Sequence, residues 1–181
     1  MNIQRCKWAN SSDLMRKYHD EVWGVPVHDE QELFEMLILE GKSCGLSWEL
    51  IWKRREGIKA AFDDLKPEIL VTYDNQKVDE LMKNPFVIKH RPKIEAVVQN
   101  AKAYLQLKES IGSFSDFLWS YTDFKTIKND GKQYITRNAI SDKLSKDLKK
   151  LGFKFVGSTI IYSFMQAVGM INDHEIECNK R

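Results

Sequence analysis

The sequence predicts an all-α protein. Three observations carry this: apolar residues recur at three- and four-residue steps, the alternating pattern of a half-buried strand is scarce, and capping residues stand where the periodic stretches begin and end. In chain order, helices are expected from Asp29 to about Lys42, Ser47 to Phe62 and Asp74 to Met82. The clearest helix starts at Pro92, a residue well tolerated in a first turn, and carries Ile94, Val97, Val98, Ala101, Tyr104 and Leu105 on its apolar side. Ser113 to Tyr121 follows. The next helix is expected to be capped by Ser141, to bury Leu144, Leu148 and Leu151, and to stop at Gly152. A last one runs from Ser158 to Gly169, while Lys125 to Asn138, with Asp130-Gly131, reads as a surface loop or short hairpin.

A chain of 181 residues without internal repeat or low-complexity linker is expected to form a single domain spanning 1–181. Hydrophobic residues at 43% and charged residues at 30% are ordinary globular values, which excludes a long disordered region. No run approaches the roughly 20 apolar residues of a membrane helix, and the first residues lack the apolar core of a signal peptide, so a cytoplasmic protein without membrane contact is expected. The three cysteines, Cys6, Cys44 and Cys178, are odd in number and widely spaced, against a disulfide scaffold. A net charge of +2 hints only weakly at an anionic partner, so any nucleic-acid reading rests on local sites.

Four constellations could carry chemistry. Cys6 and His19 near the start and His174 and Cys178 near the finish make up a closed tetrahedral zinc set of the structural kind. His174 and Cys178 share a face if their segment is helical, but spacing alone leaves accidental pairs as an alternative. Glu40 falls on the helical face of Leu33, Phe34 and Leu37, which makes it either a buried, functional carboxylate or a solvated rim glutamate. Trp8, Tyr18, Trp23, Trp48 and Trp52 crowd the first 52 positions; such rings can hold a base that has left the DNA stack, with core packing as the competing use. Finally, Lys89-His90-Arg91-Pro92-Lys93 joins a short helix to the clearest one, as in a phosphate-gripping helix-hairpin-helix or in a plain solvated turn.

At these residues the sequence resembles the 3-methyladenine DNA glycosylase I family, essentially from end to end. The resemblance is carried by Arg5-Cys6-Lys7-Trp8, Tyr18-His19-Asp20, Trp23-Gly24-Val25-Pro26, Leu33-Phe34-Glu35-Met36 through Leu39-Glu40-Gly41, and Gly45-Leu46-Ser47-Trp48. Further strings are His90-Arg91 with Lys93-Ile94, Leu144-Ser145-Lys146, Gly152 to Gly157, Tyr162 to Ala167, and Asn172-Asp173-His174. It implies a helix-hairpin-helix glycosylase fold, the hairpin at about 74–105, with one structural zinc joining segments 1–25 and 170–181 through Cys6, His19, His174 and Cys178. Glu40 and Tyr18 are the implied catalytic residues. Trp8, Tyr18, Trp48, Met15 and Glu40 are the implied base-binding set, with Met15 standing where the family often has a second tyrosine. Leu46 is expected to probe the gap in the duplex, and His90, Arg91 and Lys93 to hold DNA.

The implied activity is excision of 3-methyladenine from double-stranded alkylated DNA by a monomer, without a covalent lysine intermediate or strand cleavage. Methylation at N3 gives the base in DNA a positive charge and makes it a good leaving group, so a carboxylate and aromatic faces suffice to select and hold it. A non-catalytic zinc-stapled DNA-binding module would not need Glu40 beside aromatics. A metal-dependent hydrolase would need an open coordination position, which four protein ligands do not leave.

Overall fold

The computed structural model describes residues 4–131 and 133–181. Its helices begin where a short polar side chain can satisfy the first free backbone amides. A 3-10 turn at Lys7–Ser11 leads to α1 (Asp13–Glu21), capped by Ser12. Asp29 caps α2 (Glu30–Lys42), Ser47 caps α3 (Trp48–Ala61) and Asp74 caps α5 (Asn75–Leu81), with the single turn α4 (Pro67–Leu70) between the last two. His90 caps α6 (Arg91–Ile111), and Ser113 caps α7 (Phe114–Trp119), which continues into a 3-10 turn. Asn138, not Ser141, caps α8 (Ala139–Lys150). Ser141 sits three residues in and returns its hydroxyl to the Asn138 amide, so the two form a reciprocal capping box. The last helix, α9 (Ser158–Ala167), starts after Gly157 without a side-chain cap.

The sequence reading omitted α1 and α4. For α1 a signal was present in the Ser12 cap and the Leu14, Tyr18, Val22 spacing. Among its described residues, the segment from Lys125 to Asn138 does not pair with itself as a hairpin. Its strand β1 (Ile127–Lys128) pairs in parallel with β2 (Ile171–Asn172), so a loop is tied to the segment beyond α9.

Central to the packing is α2, which meets α3, α6, α7 and α9 and is therefore apolar almost all round. Its Phe34 ring contacts Tyr104, which contacts Phe114, which stacks on Phe153. Full burial of each such side chain is worth about 1.5–3 kcal/mol. The same enclosure explains Glu40: the last turn of a fully surrounded helix has no solvent face, and Glu40 is only 4% exposed. α5 and α6 pack on one another across residues 82–90. Among the described residues no helix is long and apolar enough to cross a membrane.

Candidate active site

Cys6, His19, His174 and Cys178 are all buried, and their ligand atoms lie within 4.8 Å of one another. Cys178 Sγ is 3.3 Å from His19 Nε2 and 3.4 Å from His174 Nδ1, and Cys6 Sγ is 3.5 Å from His174 Nδ1. A tetrahedral ion with ordinary zinc–sulfur and zinc–nitrogen bonds would hold sulfur and nitrogen about 3.6 Å apart, so this donor set fits one metal ion. His174 and Cys178 converge through a turn, not a helix: the Cys178 amide donates to the Glu175 carbonyl at 2.9 Å. The amides of Glu175 and Lys180 point at Cys6 Sγ and Cys178 Sγ, at 3.3 and 3.4 Å, an arrangement that favours thiolates. Without a cation, burial pushes the Cys6 thiol up to about 12 and His174 down to about 4, with His19 adding to the latter.

Behind the donors, Asp20 bonds His19 Nδ1 at 2.9 Å and accepts from Arg5, whose guanidinium holds the Asp20 carboxyl down at about 2. Such a carboxylate fixes which ring nitrogen faces the metal. Gly24 adopts a φ of +81°, and a Cβ there would lie 2.9 Å from His174 Nε2, so only glycine allows the imidazole this close.

The cluster also supports an aromatic wall. Trp23 packs edge-on against His174 at 4.6 Å and against Trp8 at 5.0 Å, and Trp8 contacts His19 and Tyr18. Tyr18 in turn contacts Trp48 and Trp52 at 5.6 and 4.5 Å. Trp8, Tyr18, Trp23 and Trp48 line a cavity of about 1310 Å³, whereas Trp52 lies in the core beside it. Core packing thus takes two of these five rings, Trp52 wholly and Tyr18 while it also lines the cavity.

Glu40 lines the same cavity. Burial raises its carboxyl to about 8, and no hydrogen-bond partner faces it among the described residues. Tyr18 is held well above the ordinary phenol range, by burial and then by any negative charge on Glu40, so its hydroxyl remains a donor. The Trp48 indole N–H approaches that hydroxyl but meets no acceptor in hydrogen-bond geometry. A buried acceptor and a buried donor left without partners at one cavity are what a polar planar ligand would satisfy.

Met15 does not join them: it is 4% exposed, packs in the core, and is absent from the cavity lining. Leu46 stands on the rim, 38% exposed, on the turn after Gly45. Lys93, expected at the DNA surface, turns inward. Its Nζ donates to the carbonyls of Lys42 at 2.9 Å and Cys44 at 2.5 Å, because the last carbonyl of α2 and one in the turn that follows lack helical partners and attract a cation. Arg91 is half-buried and engaged by Asp79 and Glu95. His90 caps α6 through Nδ1 and meets Phe155 edge-on.

The sequence reading assigned no role to the opposite wall, formed by Gly157 to Ile160, Ser163, Gln166 and Asp173. There Asp173 accepts from Tyr162 at 2.6 Å and from Gln166 at 2.7 Å, and Asn129 donates to Tyr162 at 2.9 Å. The strings Tyr162 to Ala167 and Asn172-Asp173-His174 were the signal for these residues.

Residues 8–181 match the family model described as methyladenine glycosylase. The chain belongs to the methyladenine glycosylase family. It is 43% identical over 179 residues to DNA-3-methyladenine glycosylase 1 of Escherichia coli (strain K12), covering 97% of this chain and 96% of that protein. Its fold matches a crystal structure of 3-methyladenine DNA glycosylase I with a TM-score of 0.94 and 43% identity, over 97% of this chain and 98% of the other. A tyrosine-to-phenylalanine variant of 3-methyladenine DNA glycosylase I in complex with 3-methyladenine matches with a TM-score of 0.93 and 38% identity, over 97% and 96% of the two chains.

Proposed function

We propose that this protein is a monomeric DNA repair glycosylase that excises 3-methyladenine from double-stranded alkylated DNA by hydrolysing the N-glycosidic bond, with no lyase step. The observation that carries the reading is Glu40, a buried carboxyl without a protein partner in a cavity walled by four aromatic rings. The family supports it, as does the related structure bound to 3-methyladenine.

The chemistry follows from the charge on the lesion. A base methylated at N3 is cationic while joined to the sugar; as the glycosidic bond breaks, the base keeps the electron pair and leaves neutral. Water then supplies hydroxide to the sugar carbon and releases a proton. Glu40 and Tyr18 are the proposed catalytic residues. Glu40 ionises in response to the arriving cation and accepts from its exocyclic amine, and the Tyr18 hydroxyl donates to a ring nitrogen. Trp8 and Trp48 hold the base between their faces, with a cation–π contribution while it is charged. Neutral adenine lacks both gains and is the poorer leaving group. Among the described residues the one lysine on the cavity lining is the exposed Lys7, which favours a mechanism without a lysine nucleophile.

Cys6, His19, His174 and Cys178 would hold one zinc ion, which supplies a structural cross-link; four protein ligands leave no position for an activated water. α5, residues 82–90 and α6 serve as the helix-hairpin-helix. The amides of Lys83, Asn84, Phe86, Val87 and His90 are engaged within the turn, so Ile88 and Lys89 offer the amides for phosphate. Leu46 is the proposed wedge. Incubating the protein with methylated duplex DNA and identifying the liberated bases by chromatography tests the proposal: 3-methyladenine should appear, and DNA left without free base overturns it.

A further inference from the structure

At about 1310 Å³ the Glu40 cavity exceeds the roughly 300–1,000 Å³ of sites that enclose a drug-sized ligand, so a purine leaves room for a sugar edge and a water. Helix α9 walls that room. From Ile161 to Ala167 only Ser163 and Gln166 escape full burial; both line the cavity, and at three residues apart they are neighbours on one helix face. Asp173 fixes the Gln166 amide. A carboxylate only accepts, so Gln166 turns Nε2 toward it, donating at 2.7 Å, and keeps Oε1 on the other side. Asp173 is itself saturated: Tyr162 donates to it at 2.6 Å, and Asn129 donates both to it and to Tyr162. Gln166 Oε1 and Ser163 Oγ meet no partner among the described residues. Neither is sealed in, since the Trp48 indole nitrogen is the one enclosed side-chain polar atom left unpaired among those residues. Two reachable polar oxygens on one wall, one of them a pinned acceptor, are what an ordered water requires.

We propose that Gln166 Oε1, pinned by Asp173 and joined by the Ser163 hydroxyl, holds the water that attacks the sugar carbon. The assignment rests on the glycosylase reading and places the reactant that such a reaction consumes. As the carbon–nitrogen bond breaks, its electron pair leaves with the base. The water oxygen bonds to the same carbon and loses one proton to solvent through the cavity mouth. Gln166 accepts a hydrogen bond from that water, aims its lone pair and keeps no proton. A neutral acceptor suffices, because the charged base departs readily and leaves the sugar carbon electron-poor. Asp173, already saturated, is a positioning residue that acts through Gln166.

The test is reaction with methylated duplex DNA in dilute methanol, where water and methanol compete for the sugar carbon. Attack by water leaves an abasic site that alkali cleaves; attack by methanol leaves a methyl glycoside that alkali spares. Wild type should form methyl glycoside in less than methanol's share of the solvent. Gln166→Met keeps the length of the side chain and removes the acceptor. It should release 3-methyladenine about tenfold more slowly in single turnovers, the loss of one hydrogen bond, and raise the methyl glycoside to methanol's share. Its tryptophan fluorescence titration with free 3-methyladenine should match wild type. Asp173→Asn keeps the shape and lets the Gln166 amide turn over, so it should move the product ratio the same way and decides the matter if Gln166→Met does not fold. A slower Gln166→Met with the wild-type product ratio would reduce Gln166 to packing and overturn the water site, as would a wild-type rate. Wild-type protein that releases no base would defeat the glycosylase reading, whereas base release with products indifferent to both variants would defeat the water site alone.

Discussion

Two buried polar clusters lie side by side, and they differ in whether their members satisfy one another. In the Cys/His cluster every donor faces another donor, two backbone amides face the sulfurs, and Asp20 with Arg5 buttresses His19. In the adjoining cavity Glu40 and the Trp48 indole N–H have no such partners. A cluster that closes on itself around one small ion is a structural joint. A cluster with an acceptor and a donor left over is incomplete until a ligand arrives.

The largest expected effect breaks the closed cluster. Chelation, or Cys178→Ser, should cost several kcal/mol, as loss of a structural metal site does, and lower the thermal midpoint by about 10 °C or more. Elemental analysis should find one zinc per chain. A metal-free protein with an unchanged melting curve would remove the distinction between the clusters.

Glu40→Gln should act in the opposite sense on stability. It should slow base release by about 10- to 100-fold, the 1–3 kcal/mol of a charge-assisted hydrogen bond, without abolishing it. The folded protein holds the Glu40 proton more tightly than the unfolded chain, so this group favours folding while protonated and the contribution disappears as pH rises through about 8. Glu40→Gln should therefore melt at least as high as wild type above pH 8. Base release by wild type should rise with pH along a limb whose midpoint lies below 8, because the cationic base favours the carboxylate, and that limb should be missing in the variant. A variant with wild-type rates at every pH would take Glu40 out of the site.

Next comes Lys93→Met. If its ammonium braces the α2 carbonyls and the turn bearing Leu46, excision from duplex DNA should fall roughly tenfold, comparable to the loss of one charged hydrogen bond of about 1.5 kcal/mol, with an unaltered salt slope of binding. A slope reduced by about 0.9 would instead identify Lys93 as a phosphate ligand. The smallest effect is expected for Met15→Leu, a near volume-conserving core change costing less than about 1.5 kcal/mol. Its ratio of 3-methyladenine to other methylated bases released should equal that of wild type; an altered ratio would bring position 15 into the cavity.

What could be read in advance depended on how distinctive each residue is. Cysteine and histidine are scarce enough that Cys6, His19, His174 and Cys178 stood out, although a turn and not a helix face brings the last two together. Helix starts were legible because capping is local, down to a three-residue displacement at Asn138, where Ser141 is the answering half of the box. Burial was harder. The periodicity around Glu40 allowed both a rim and an interior position, and the packing of α7 and α9 against α2 decides it. The direction of Lys93 was not legible at all, since its partners are carbonyls about 50 residues away that any residue types could supply. Nor was the pairing of β1 with β2, two residues on each side held by a tertiary arrangement and not by strand propensity.

The cluster of Cys6, His19, His174 and Cys178 sets a schedule for biosynthesis. Cys6 must wait for His174, 168 residues further along the chain, and His19 for Cys178, 159 residues on. At ribosomal speeds of roughly 5–20 residues per second, that is a delay on the order of 10–30 s. Through that interval Trp23 lacks the imidazole of His174 that it packs against, and Trp8 leans on a Trp23 ring without that support. A nascent chain thus has no finished cavity wall until Cys178 has emerged, so the aromatic half of the cavity is assembled last although its residues are made first.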